Sequence, residues 1–418
     1  MVGNPGEVLF LAHRIPYPPD RGDRIRSWHI LRALAALAPV HCGCLIESAD
    51  ERAQAGPIAD VAASHCLALR PASLGWAGIA ALATGRPVSL VAFSSAHLRR
   101  WVRDLIAERP ITTIFVFSGQ MAQFVPADFR GRVVMDFVDV DSAKFAAYAA
   151  AARAWWVRAI HAREARVLCA FEERTAHRAD LSLLVTPDER DLFVSRLADP
   201  AGVAVAALGN GIDAAHFSPE AVSPEPALCG PGPQIVFTGQ MDYAPNVAAV
   251  RLFAQQAMPV IRARHPHAVF TIVGRAPTAE VRALDGQDGT RVTGEVPDVR
   301  PWLAGADLVV VPLLIARGVQ NKVLEAMAMA RPVLLTPAAA SGIPGSDGAE
   351  FAVAAIDAMA AGAEPDAAAF AARALALLDD PQGALAIGRQ ARACVMAEAG
   401  WDKVLAPLPA MMGWTDAA

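Results

Sequence analysis

"DAAHFSPEAVSPEPALCGPGPQIVFTG", Asp213 to Gly239, joins two kinds of chain. Up to Pro233 its prolines and glycines deny the backbone both the helix ladder and a central strand. At Ile235 an apolar run of strand length begins, and it ends in a glycine turn. The stretch reads as a linker with a fresh domain starting behind it.

The flanks agree. Before it, "EVLFLA" (Glu7–Ala12), "VHCGCLI" (Val40–Ile46), "ITTIFVF" (Ile111–Phe117), "RVVMDF" (Arg132–Phe137), "LSLLVT" (Leu181–Thr186) and "VAVAAL" (Val203–Leu208) look like buried strands. Helix-length segments such as Arg24–Ala38 and His161–His177 separate them. After it come "IVFTG", a helix from Asn246 to about Arg264, "AVFTIVG" (Ala268–Gly274), "DLVVVPL" (Asp307–Leu313) and "PVLLT" (Pro332–Thr336). Strands alternating with helices build a parallel sheet covered on both faces. The expectation is α/β: two tandem Rossmann-like domains, 1–212 and 234–418, linked by 213–233, with the ligand cleft between them. The length, 418 residues, suits two cores.

A formal net charge of −5 gives no general affinity for polyanions, so nucleic acid is excluded as a partner and any anion site is local. The six cysteines lack zinc spacing and read as core residues of a reducing compartment. The first apolar run, Val8–Ala12, is shorter than a signal peptide's, and no charge-free stretch reaches the roughly 20 residues that span a bilayer. A cytoplasmic protein is expected.

Chemistry should sit in the loops that follow strands. The first, "HRIPYPPDRGDRIRS" (His13–Ser27), has no G-x-G-x-x-G, which argues against a dinucleotide-binding dehydrogenase. Instead Gly22 and Asp23 precede Arg24 and Arg26, and helix-start amides beside guanidinium groups suit an anion or a sugar hydroxyl. A second cluster, "DFVDVDSAKFAAY" (Asp136–Tyr148), carries Asp136, Asp139 and Asp141. Asp139-Val140-Asp141 matches a D-x-D, whose oxygens suit magnesium or manganese. A carboxylate there also suits a base or a sugar-orienting group, and Asp141 or Ser142 suits a helix cap.

Next, "FAAYAAAARAWWVRAIHAREAR" (Phe145–Arg166) mixes Phe145, Tyr148, Trp155 and Trp156 with four arginines. Such a helix suits an anionic membrane surface, or its aromatics are simply core. In the second half "FTGQMDYAPN", "IVGRAP" and "VTGEVPDV" are turns after strands, placing Gly239, Arg275, Gly294 and Val296 near "GVQNKVLEAMAMARPV" (Gly318–Val333). There Lys322 and Glu325 are expected in the first turn of a helix, and Asn246 near a helix cap.

These landmarks, with "NGID" and "HFSP" (Asn210–Pro219), resemble in order and spacing the retaining GT-B glycosyltransferases of glycosyltransferase family four. "AHRIPYPPDRGDRIRSWHILRAL" and the Gly318–Val333 stretch resemble the branch associated with exosortase and PEP-CTERM systems, which accompanies exopolysaccharide genes. The resemblance implies a nucleotide-sugar donor on the C-terminal domain and a glycan or lipid-linked acceptor on the N-terminal one. It also implies a last helix that crosses back, and neither cofactor nor metal. Glu325 matches the second glutamate of the family's E-x7-E motif, a ribose ligand. Arg317 replaces the first, and Gln240 and Asn246 stand where an Arg and a Lys are common. Arg317 and Lys322 are then the substitutes at the phosphates, with His13, Arg14, Arg24 and Arg26 on the acceptor side. Gly22, Asp23, Asp139, Asp141 and Lys322 are the catalytic candidates. Two rivals share the architecture: a nucleotide-sugar 2-epimerase and a noncatalytic nucleotide-sugar-binding protein.

Overall fold

The computed structural model describes residues 6–70, 74–152, 154–316, 318–357 and 365–414. It divides into two compact units: one runs through Gly209 and takes in the chain from Leu405 onward, and the other spans Asn210–Val404.

The first unit holds a seven-stranded parallel sheet of β1 (Glu7–Ala12), β2 (Val40–Ile46), β3 (Ser64–Leu69), β4 (Ile111–Phe117), β5 (Arg132–Val138), β6 (Leu181–Leu184) and β7 (Val205–Ala207), in the order β3-β2-β1-β4-β5-β6-β7. Every residue of β1 and β2 is buried, as a strand covered on both faces requires. The second unit has six strands: β8 (Gln234–Thr238), β9 (Val269–Val273), β10 (Thr290–Gly294), β11 (Leu308–Val311), β12 (Val333–Leu335) and β13 (Ala352–Val353), in the order β10-β9-β8-β11-β12-β13. Both are doubly wound. The strand order reverses between β1 and β4 and again between β8 and β11, and the loops leaving those strands are where such sheets take ligands.

The sequence expectation missed β3, β10 and β13, each partly buried and each at a sheet edge. "VTGEVPDV" is therefore the end of β10 and a turn. The stretch 213–233 packs on the second unit: Leu228 is in its core, and Glu225 N donates to Pro301 O at 2.9 Å. The segment expected as one helix from Asn246 to Arg264 starts at Ala244 and widens into a π turn over Phe253–Ala257. From Leu405 the chain lies with the first unit, where Arg132 Nε donates to Met411 O at 3.1 Å. Among the described residues no helix is long and apolar enough to cross a membrane.

Candidate functional site

In the second unit three parallel strands end in glycine. Gly239 N donates to Val273 O and Gly274 N to Gly294 O, each at 3.0 Å. A Cβ on Gly274 would lie 1.6 Å from Gly239 O, and one on Gly239 would lie 2.9 Å from Lys322 Nζ. Only glycine lets the strand ends close up and admits the lysine.

Lys322 comes from the helix Asn321–Ala328, which follows the reversal-point strand β11. Its Nζ donates to Asn246 Oδ1 at 2.8 Å and stands 4.2 Å from the centroid of the Phe237 ring. Asn246 is itself fixed, donating from Nδ2 to Gln240 O at 2.9 Å. Among the described residues no carboxylate lies within ion-pair distance of Lys322. Burial therefore depresses its pKa to about 7, with Glu325 opposing the shift. Glu325 is the mirror case: burial raises its pKa to about 7 and Lys322 opposes. Arg275 Nη2 donates to Gln240 Oε1 at 3.4 Å, on the turn that carries Asn246. Val296 packs on the core, and a side chain at Gly294 would meet nothing within 4 Å.

Two expectations are corrected here. The helix begins at Asn321 with no acid in its first turn, so Glu325 falls just beyond it, away from the free amides that a first-turn carboxylate would meet. Asn246 caps nothing: no side chain caps the helix Ala244–Leu252, and the Asn246 amide holds Lys322 instead. Arg317 lies outside the described residues.

In the first unit the loop after β1 closes around Asp23. His13 Nε2 lies 3.3 Å from Asp23 Oδ2, Arg14 Nε 3.6 Å from the same oxygen, and Arg21 Nε 3.0 Å from Oδ1. Burial would raise the Asp23 pKa, but the His13 hydrogen bond and the His13, Arg21 and Arg14 charges outweigh it, holding the carboxyl well below its usual range. Asp23 is an ionised anchor of the loop and no proton carrier. Gly22 opens the helix Gly22–Ala35 and is exposed.

Arg24 and Arg26 are not acceptor-side groups. Arg24 Nη2 lies 2.5 Å from Glu51 Oε1, and Arg26, 1% exposed, gives Nε to Asp136 Oδ2 at 2.9 Å and Nη1 to Gly209 O at 2.6 Å. They share the helix's buried side with Ile30 and Leu34, so their charges are spent inside the fold.

At the end of β5, Val138 adopts φ +69°, a left-handed conformation that costs a β-branched residue of order 1–3 kcal/mol. Asp136 Oδ1 steadies the bend by accepting from Val138 N at 3.1 Å. The bend presents Asp139, whose buried Oδ1 has no hydrogen-bond partner among the described residues. Burial first, then the Glu189 and Asp141 charges, push the Asp139 pKa up to about 7. Asp139 and Asp141 line a small cavity with Glu172, itself raised to about 7 by burial. Neither Asp141 nor Ser142 caps the helix Asp141–Ala151: Glu189 accepts from Val140 N and Glu172 from Ser142 N, both at 2.9 Å. Asp141 instead receives Lys144 Nζ at 3.2 Å. Among the described residues no group of three or more His, Cys, Asp or Glu is placed to hold a metal ion.

Several solved structures superpose along almost the whole chain. Anabaena HepE, solved in complex with UDP, has a TM-score of 0.68 at 13% identity, covering 98% of this chain and 100% of its own. Its fold is this chain's fold. The fold is GT-B. Sucrose-phosphate synthase from Thermosynechococcus elongatus gives 0.66 at 15% identity, covering 97% of this chain and 98% of its own. WaaG, a glycosyltransferase involved in lipopolysaccharide biosynthesis, gives 0.64 at 16%, covering 98% and 100%. Residues 232–380, within the second GT-B unit, match the family model described as Glycosyl transferases group 1. No curated protein matches the sequence.

Within that GT-B unit the structure draws Gly239, Arg275, Lys322 and Glu325 together at the strand ends, with Gln240 and Asn246 as supports the sequence reading did not assign. Asn246 and Lys322 are 76 residues apart in the chain, so no periodicity could have paired them.

Proposed function

We propose that this chain is a glycosyltransferase that takes its sugar from a nucleoside diphosphate held on the second unit. One observation carries the reading: a partly desolvated ammonium, Lys322, held by a neutral amide at a sheet's reversal point, with no carboxylate within ion-pair distance among the described residues. Such a cation is set for an anion, and it stabilises the diphosphate as the sugar leaves. Glu325, on the same helix, accepts from the ribose hydroxyls. HepE, solved with UDP and with UDP-glucose, supports a nucleotide-sugar donor. Transfer proceeds with retention and without metal, the acceptor hydroxyl approaching the face the nucleotide leaves, bordered by Gly22 and the Asp23 loop with His13 and Arg14. Asp139 receives the hydroxyl proton, and Asp141 positions Lys144 beside it. The acceptor is a glycan or a lipid-linked saccharide, in exopolysaccharide assembly of the PEP-CTERM and exosortase kind, on the cytoplasmic side of a membrane.

The test is incubation with UDP-, GDP- and ADP-linked sugars and a membrane lipid extract, with and without excess chelator. Transfer supports the reading, isomerisation of the sugar indicates an epimerase, and the absence of both leaves only binding. Glu325→Ala should weaken donor binding about 10- to 100-fold, the loss of charge-assisted hydrogen bonds worth about 1.5 to 3 kcal/mol. The variant should remain folded, because the Glu325 carboxylate makes no hydrogen bond among the described residues and its burial opposes ionisation; unchanged donor affinity removes the ribose assignment.

Asn246→Asp keeps the shape but places a carboxylate on the Lys322 ammonium. The Lys322 pKa then returns toward its ordinary 10.5, and its field at the diphosphate is cancelled. UDP affinity measured by calorimetry at pH 6.5 should fall about ten-fold or more. An Asp variant that binds UDP as well as the parent refutes the idea that the neutral partner matters.

A further inference from the structure

The basic, aromatic stretch from Phe145 to Arg166 separates in the structure into two parts with different surroundings. Phe145 and Tyr148 turn to His161, with ring centroids 5.8 to 5.9 Å apart, and make a partly buried cluster. Trp155, Trp156 and Ile160, on the first turns of the helix Trp155–Ala176, are 79%, 56% and 55% exposed. Leu82, near the end of the helix Leu74–Thr84, is 68% exposed. The two helices are stitched together: Arg163 Nη2 donates to Ala81 O at 2.8 Å and to Arg86 O at 3.1 Å. Ile160 lies one turn before Arg163 on the same helix face, and Arg163 joins that turn to the chain on either side of Leu82. The two segments that Arg163 joins thus form one rim of the first unit, carrying four large exposed apolar side chains.

The chain segments that build the rim carry basic charges only. No Asp or Glu occurs from Val61 to Arg103 or from Ser142 to Arg163, although the chain as a whole carries 42 acids against 37 bases. Arg86, Arg158 and Arg166 are exposed there. Glu164, the nearest acid along the helix, is buried, paired with Arg163 and accepting from Val88 N at 2.7 Å. Exposed tryptophans flanked only by arginines fit one environment: the region where lipid headgroups meet acyl chains, in a bilayer of negative surface charge. A second copy of this chain fits poorly, because an isologous contact would set the arginines of these segments against one another with no acid from the same segments to pair them.

We infer that this rim, Leu82 with Trp155, Trp156 and Ile160 between Arg86, Arg158 and Arg166, docks the protein on an anionic lipid surface. The inference stands apart from the transfer reading, since it needs neither donor nor acceptor. Docking seats the tryptophan rings at headgroup depth and leaves the arginines to the lipid phosphates. The helix then lies along the membrane plane and does not cross it.

The experiment is co-sedimentation of the full chain with phosphatidylcholine vesicles, with and without phosphatidylglycerol, at low and at high salt. The expected result is binding to the phosphatidylglycerol vesicles alone, weakened by salt, with a blue shift of tryptophan emission. Trp155→Ser/Trp156→Ser should lower the partition coefficient about ten-fold or more, and Arg158→Glu should lower it mainly at low salt. All three side chains are exposed, so melting temperatures should match the parent's, and loss of binding is then not loss of fold. No binding to the anionic vesicles overturns the inference, as does equal binding by the double variant. Self-association of the parent that the same substitutions abolish assigns the rim to a second copy and overturns it too.

Discussion

Lys322→Met should cut the rate of sugar transfer by about 10²- to 10³-fold, the usual cost of removing one preorganised charge from a developing anion. The same substitution should make the protein more stable. In the fold the lysine titrates near pH 7, against an ordinary value of 10.5, so the charged form is disfavoured by folding. That cost is absent above pH 10.5, grows as the pH falls toward 7, and is constant below. Methionine places an apolar side chain beside Phe237 and carries no such cost, so its melting temperature should exceed the parent's at pH 6.5 and match it at the alkaline end. Activity has a matching pH dependence. Donor binding needs the ammonium, so donor affinity should decline above about pH 7, approaching ten-fold per pH unit, with one proton taken up on binding. Below pH 7 the other limb appears as Glu325 takes up a proton and loses its capacity to accept from two hydroxyls. A Met variant that transfers sugar at the parent's rate ends the diphosphate assignment; one that is inactive but less stable leaves only a structural role.

Asp139→Asn should separate stability from activity in the first unit. The carboxyl titrates near pH 7 rather than 3.8 because burial and the neighbouring Glu189 and Asp141 charges oppose its ionisation. The cost is absent below pH 3.8, builds as the pH rises to 7, and stays above it. Asparagine is neutral throughout, so its melting temperature should rise at pH 8 by a few degrees, about 2 to 4 °C per kcal/mol for a unit of this size, and gain nothing near pH 4. Proton acceptance is lost with the carboxylate, and the transfer rate should fall about 10²- to 10⁴-fold. Strain at Val138 and a buried, repelled carboxylate are costs that a purely structural loop has no reason to keep. An Asn variant with the parent's rate and the parent's melting temperature at pH 8 would show that Asp139 neither reacts nor is strained.

The sheets were legible because strands buried on both faces are continuous apolar runs, as in β1, β2 and β4. Of the edge strands, β7 was legible in "VAVAAL", but β3, β10 and β13 were not, since an edge needs only one apolar face, β10 reads "TRVTG" and β13 spans only Ala352–Val353. Glu325 and Lys322 were singled out by type and place, two charges on an otherwise apolar helix, although the helix starts too late to put Glu325 in its first turn. Arg26 shows the opposite failure. A basic group at a helix start suggested an anion, while its spacing of four from Ile30 and eight from Leu34 put it on the buried stripe, where Asp136 was waiting. What the sequence could not carry was partnership at a distance: Asn246 with Lys322, and the loop of His13, Arg14 and Arg21 that keeps Asp23 ionised.

A crystal structure of the full chain soaked with UDP tests the central claim most directly. The account predicts that Lys322 Nζ lies about 3 Å from a phosphate oxygen and that Glu325 accepts from both ribose hydroxyls. A nucleotide bound elsewhere, with Lys322 still engaged by Asn246 alone and Glu325 untouched, would contradict it.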